Sequence, residues 1–131
     1  LYGGELQIGT SLDRWTFDLG ASVVRAINRR ADEPVSDTPA DRLRLVVANN
    51  IADEWWLSLD SEIVLGQERV PNGVSATGGY TLFGAGTSWS PSKDWTLSAK
   101  LTNLLDRAYH RHGSLVDDAG RDIRVALTAR F

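Results

Sequence analysis

The chain has 131 residues and a formal net charge of −3, with charges of both signs scattered along it. That balance, with a pI near 5.3, excludes the clustered basic footprint of a nucleic-acid binder, a polybasic membrane-surface patch and an acidic tail. With no cysteine there is no disulfide framework, zinc knuckle or thiol nucleophile.

No stretch approaches the roughly 20 apolar residues that a membrane-spanning helix needs. The opening Leu1-Tyr2-Gly3-Gly4 has no signal-peptide features, and a start on Leu reads as a processed or truncated piece. Instead, alternation of period two recurs along the chain and predicts strands at 2–12, 15–27, 41–52, 55–69, 79–90, 94–104 and 121–131. In the first, Leu6, Ile8 and Leu12 oppose Glu5, Gln7, Gly9 and Ser11. In the second, Trp15, Phe17, Leu19, Ala21 and Val23 oppose Thr16, Asp18, Gly20 and Ser22. The third sets Leu43, Leu45 and Val47 against Arg42 and Arg44. The fourth sets Trp55, Leu57, Leu59, Ile63 and Leu65 against Ser58, Asp60 and Glu62. The fifth is less clean, with Phe83, Ala85 and Trp89 opposite Gly84 and Gly86. In the sixth, Trp95, Leu97, Ala99 and Leu101 face away from Thr96, Ser98, Lys100 and Thr102. The last places Ile123, Val125, Leu127, Ala129 and Phe131 opposite Arg124, Thr128 and Arg130.

Alternation alone fits two readings, a soluble antiparallel sheet with one solvated face and a membrane barrel. The connections separate them. Short turns at Asp13-Arg14, Asp53-Glu54 and Pro91-Ser92-Lys93-Asp94 alternate with long ones at Asn28–Ala40, Val70–Gly78 and Leu105–Gly120. Short periplasmic turns and long extracellular loops are the habit of outer-membrane barrels, and a soluble sandwich has no reason to sort its loops by side. The aromatic residues sort the same way. Trp15, Trp55, Trp56, Trp89 and Trp95 all lie near a short turn, with Phe131 ending the chain on that side. Tyr2, Tyr80 and Tyr109 lie at the opposite strand ends. Two girdles at two lipid–water interfaces are expected, because indole and phenol rings prefer that boundary. The predicted fold is therefore an all-β, antiparallel up-and-down meander, the last strands of a transmembrane β-barrel.

The final third carries a more specific signal: Leu101-Thr102-Asn103-Leu104-Leu105-Asp106-Arg107-Ala108-Tyr109, then Gly120-Arg121, then an alternating strand ending Ala129-Arg130-Phe131. This stretch resembles the C-terminal end of TonB-dependent outer-membrane receptors, and Leu82-Phe83 leading to Trp89 resembles their third-last strand. The resemblance implies that residues 1–131 are the C-terminal segment of a 22-stranded barrel in a Gram-negative outer membrane. It also implies partners: the lipid bilayer, the remaining strands and an absent plug domain, the TonB complex acting through that plug, and the barrel-assembly machinery reading Phe131. The imported nutrient would be a metal–siderophore complex, a metal ion or cobalamin, and no enzyme activity is implied. The runner-up is a soluble or peripheral β-sheet binding module, complete as it stands.

One loop has ligand chemistry. His110, His112, Asp117 and Asp118 place two imidazoles and two carboxylates in nine residues (110 to 118). Together they are candidate ligands for Zn²⁺ or Cu²⁺, the imidazoles foremost, or for capture of cargo outside the cell. Neutral imidazole is the ligand, so such a site would weaken below a pH of about 6.5. The plainer alternative is an ordinary hydrophilic loop. No cofactor is certain, and no catalytic set stands out: Ser114, His112 and Asp117 share a loop, but a triad is defined by geometry. The glycine pairs Gly3-Gly4 and Gly78-Gly79 precede no helix and so cradle no phosphate.

Overall fold

A computed structural model describes all residues, 1–131. Its strands are β1 (Tyr2–Leu12), β2 (Trp15–Arg25), β3 (Ile27–Asn28), β4 (Glu33–Pro34), β5 (Arg42–Ala52), β6 (Trp55–Val64), β7 (Tyr80–Ser92), β8 (Trp95–Thr102) and β9 (Asp122–Ala129). Seven of them form one sheet in the order β1-β2-β5-β6-β7-β8-β9, and every neighbouring pair is antiparallel. The sheet is the expected meander. Its two edges, β1 and β9, each have one unpaired side.

The short turns at Asp13-Arg14 and Asp53-Glu54 hold as expected, and the third narrows to Lys93-Asp94 because β7 runs past its expected end at 90 to Ser92. Asp13 takes φ 53°, a left-handed conformation that Asp tolerates better than most side chains because it can bond to its own backbone. The long connections carry more structure than the sequence predicts. The first contains the small hairpin β3–β4, pairing Ile27 with Pro34 and Asn28 with Glu33. That hairpin ends the predicted strand 15–27 early, at Arg25. The predicted strand 55–69 also overruns: the ladder stops at Val64, and Gln67 turns inward to bridge Thr77. Strand β8 ends where Asn103 adopts φ 50°. The Asn103 side chain donates from Nδ2 to the Arg107 carbonyl (2.8 Å) and accepts the Arg107 N–H at Oδ1 (2.9 Å), closing a local turn.

No apolar core holds the sheet. Ala48 and Tyr80 are the only buried hydrophobic residues, whereas Leu6, Ile8, Phe17, Leu45, Leu59, Leu97, Val125 and Leu127 are all exposed. The backbone carries the fold instead, with 57 of 71 backbone hydrogen bonds lying inside the strands. A soluble sheet would bury its apolar face at about 25 cal/mol per Å², so the soluble-module reading does not survive this inversion. Lipid is the solvent that suits it, because in hydrocarbon every backbone group must find its partner inside the protein.

Close packing at the loop end of β7 gives a paired test. A Cβ at Gly79 would sit 2.8 Å from the Val64 carbonyl oxygen and 2.9 Å from the Gly66 nitrogen, whereas a Cβ at Gly78 would meet nothing within 4 Å. Backbone cannot step aside. Gly79→Ala is expected to destabilise by about 1–3 kcal/mol, as overpacking does, and Gly78→Ala to be nearly neutral, measured by urea unfolding of the barrel in vesicles.

Acid should act at the loop ends of β2 and β5. Arg25 grips Asp41 through two hydrogen bonds (2.5 and 2.7 Å). Those bonds hold the Asp41 carboxyl below its ordinary 3.8 against the opposing effect of burial, with Arg69 adding to them. A folded value below the unfolded one means that Asp41 stabilises the protein above pH 3.8, and that this contribution is lost as pH falls through the folded value. Asp41→Asn should therefore flatten the acid limb of a stability–pH curve below about pH 4.

Candidate functional site

Alternation assigns each strand residue to one of two faces. The apolar face bears Leu6, Leu19, Leu45, Leu59, Leu97 and Leu127, all exposed. The polar face bounds a cavity of about 620 Å³ whose lining includes Glu5, Arg42, Arg44, Asp60, Glu62, Lys100, Asp122 and Arg124. Its charges partly pair: Arg42 with Glu62 at 3.6 Å, Lys100 with Asp60 at 3.9 Å, and Arg124 with Asp122 at 2.7 Å. These pairs are half-exposed and contribute little stability individually. What they provide is a polar, hydrated wall that can steer a charged solute.

Over the loop end of this wall sits a second cluster. Tyr80 is buried, and its ring lies 4.7 Å from that of Tyr109. The Arg111 guanidinium lies 5.9 Å from the Tyr109 ring centre and 3.4 Å from Asp118 Oδ1, while Asp118 Oδ2 accepts the Arg111 N–H at 3.1 Å. Burial works against the Arg111 charge, but Asp118 and the two tyrosines outweigh it and raise its pKa above the ordinary value. Tyr109, Arg111 and Asp118 also line the polar cavity, so the last loop folds back over the polar wall.

The histidine loop is organised differently from a metal centre. His112 Nε2 donates to the Ser36 carbonyl (2.6 Å), and its Nδ1 pairs with the Thr77 hydroxyl (2.8 Å). His112 therefore joins three loops. His110 Nε2 donates to the Ser114 carbonyl (2.8 Å), and its Nδ1 faces Asp117 Oδ1 at 3.3 Å. Both ring nitrogens are thus engaged within the loop, one by a carbonyl and one by a carboxylate. No three His, Asp or Glu side chains are gathered as metal ligands. The expected set of His110, His112, Asp117 and Asp118 is dispersed: His112 serves the neighbouring loops, Asp118 serves Arg111, and only His110 and Asp117 meet.

Three girdle assignments also change, those of Trp56, Tyr80 and Tyr109. Trp15, Trp55, Trp89 and Trp95 share the apolar face near the short turns; Trp15 stacks on Phe17 at 6.2 Å and Trp55 on Trp89 at 5.8 Å. Trp56 follows Trp55 in β6 and so points to the polar face, where it lies near Gly86. Tyr80 shares the polar face with Leu82 and is buried against Tyr109. Of the three tyrosines, Tyr2 alone keeps an outward, exposed position. Phe131 lies past the end of β9 and is fully exposed. Sequence reasoning missed Ser36, Thr77 and Arg111, whose roles arise only through tertiary contact; Asn103 had a signal in its turn-forming Asn-Leu-Leu-Asp setting.

An apolar face turned outward, a charged face turned in, and loops sorted by side together define a transmembrane β-barrel segment of a bacterial outer membrane. Comparison with known proteins agrees. Over 98% of its length the chain superposes on the copper transporter OprC with a TM-score of 0.92 at 19% identity. It superposes on a ferric enterobactin receptor of Pseudomonas aeruginosa with a TM-score of 0.82, again at 19% identity over 98% of the chain. It covers 23% and 22% of those two chains. In sequence, 61 residues (44% of the chain) are 39% identical to TonB-dependent heme receptor A of Haemophilus influenzae, of which they span 8%. No family model matches the sequence. The resemblance to TonB-dependent receptors read from the sequence is thus matched by one such receptor over 44% of the chain, and the barrel fold by the two superpositions.

Proposed function

We propose that this chain forms the closing strands of a TonB-dependent receptor barrel that imports a metal-bearing nutrient, and that it acts in transport and not as an enzyme. The observation that carries the reading is the charged inner wall between Glu5 and Arg124, capped by the Tyr109–Asp118 loop. A wall of this kind is a solute path and not a core. The free edges of β1 and β9 need further strands, since lipid satisfies no backbone group. A plug, the TonB complex acting through it, and recognition of Phe131 by the barrel-assembly machinery complete the proposed set of partners. The similar proteins are described by copper, ferric enterobactin and heme. A metal ion, a metal–siderophore complex or a metal macrocycle such as cobalamin is the cargo class this favours. Copper or zinc would then be cargo, since the His110 loop gathers no resident site.

The test is uptake. The complete gene would be expressed in a Gram-negative strain lacking its own receptors, with radiolabelled copper, ferric siderophore, heme or cobalamin supplied in turn, with and without TonB. Accumulation of one such cargo, abolished without TonB, is the expected result. Accumulation of none, or accumulation that persists without TonB, would overturn the proposal.

A further inference from the structure

Between its two rims the apolar face carries no ionisable side chain on any strand; Arg25, at the loop end of β2, is the first. Arg25 continues the outward series Trp15, Phe17, Leu19, Ala21 and Val23. Asp41 continues the outward series of Leu43 and Leu45 beside it. From Trp15 to Arg25 is ten residues (25 minus 15), or about 33 Å of strand, which at a tilt of about 45° spans about 23 Å of membrane. The apolar band of such barrels is about 25 Å tall. If Trp15 marks the lower interface, Arg25 and Asp41 stand at the level of the lipid headgroups on the side of the long loops.

The cluster there is not neutral. Arg25 spends both terminal nitrogens on Asp41 (2.5 and 2.7 Å), and one of them also on the Val24 carbonyl (2.8 Å). Arg69 reaches the same carboxylate with one nitrogen at 3.5 Å, and its side chain is 44% exposed. Two guanidinium groups around one carboxylate leave one net positive charge, and the remaining guanidinium nitrogens of Arg69 have no partner within the protein. Tyr2 stands opposite Arg25 in the ladder and adds an exposed hydroxyl. Below lie Val23, Leu43, Ile63 and Leu65, an apolar surface for acyl chains.

We propose that Arg69, supported by Arg25, Asp41 and Tyr2, binds the phosphate of a lipid headgroup in the leaflet beneath the long loops. Arginine suits this ligand because its planar fork matches phosphate oxygens, and Asp41 prevents Arg25 from collapsing onto the same anion. The site is independent of the transported cargo.

The test uses the complete barrel protein in dodecylmaltoside micelles doped with phosphatidic acid or, in parallel, with diacylglycerol of the same acyl chains. Lipid retained on the protein is read by native mass spectrometry. Phosphatidic acid should be retained and diacylglycerol should not. Arg69→Gln should lower retention about fivefold, the effect of one basic residue at a membrane surface, while Arg69→Lys keeps most of it. Lys93→Gln, at the opposite rim, should change nothing. Undiminished retention by Arg69→Gln, or an equal loss in Lys93→Gln, would overturn the proposal. Displacement of the lipid by inorganic phosphate at equal concentration would also overturn it, by showing a site for any free anion.

Discussion

Replacing Leu59 by arginine is expected to cost the barrel about 2–4 kcal/mol, and replacing Ser98 by arginine to cost little, although both positions lie mid-strand. Leu59 sits in the middle of β6 on the outward face and is 65% exposed. An arginine there would have to carry its guanidinium through hydrocarbon to either rim. Ser98 lies in the middle of β8 on the polar face, where its hydroxyl makes only a long contact (3.5 Å) to the Ala126 carbonyl. An arginine at that position would extend into the hydrated interior beside Lys100. Urea titration of the complete barrel in phosphatidylcholine vesicles, followed by tryptophan fluorescence, would give both numbers. Equal costs at the two sites would mean that the assigned faces are wrong, and the membrane reading would go with them.

The contrast between Leu59 and Ser98 was legible in the sequence because alternation by two is a local property of extended chain. Strand ends were less legible for a related reason. Nothing local shows that Gln67 leaves the ladder to donate its side-chain amide to the Thr38 carbonyl (2.8 Å), 29 residues away. The hairpin β3–β4 has two residues per strand, too few for any periodicity to register. The aromatic assignments that change do so for a different reason. Nearness to a strand end sets the height of Tyr80 and Trp56 in the membrane, whereas parity sets the face. Tyr80 shares parity with Leu82 and Gly84, and Trp56 must oppose Trp55. Alternation therefore turns both inward. The metal set failed because spacing shows which residues share a loop and not which way each ring turns. The partners of His112 lie 35 and 76 residues away.

Those partners make His112 the residue whose loss should most change the loops. His112→Ala would leave the Ser36 carbonyl and the Thr77 hydroxyl without their side-chain partner and free the last loop from both neighbours. A part-buried polar group left unpaired costs about 1–3 kcal/mol, and this one should fall at the lower end, since water can reach the site once the ring is gone. The cost is local. Hydrogen exchange in residues 26–41 and 70–79 should quicken about tenfold, the kinetic equivalent of about 1.4 kcal/mol of opening energy, while exchange in β5 and β6 stays unchanged. His112→Gln keeps a donor for the Ser36 carbonyl and should recover part of the protection. Loop protection that is lost in His112→Ala and partly recovered in His112→Gln is the expected result. Unchanged exchange in His112→Ala would show that the Tyr80–Tyr109 and Arg111–Asp118 contacts hold the loops without it.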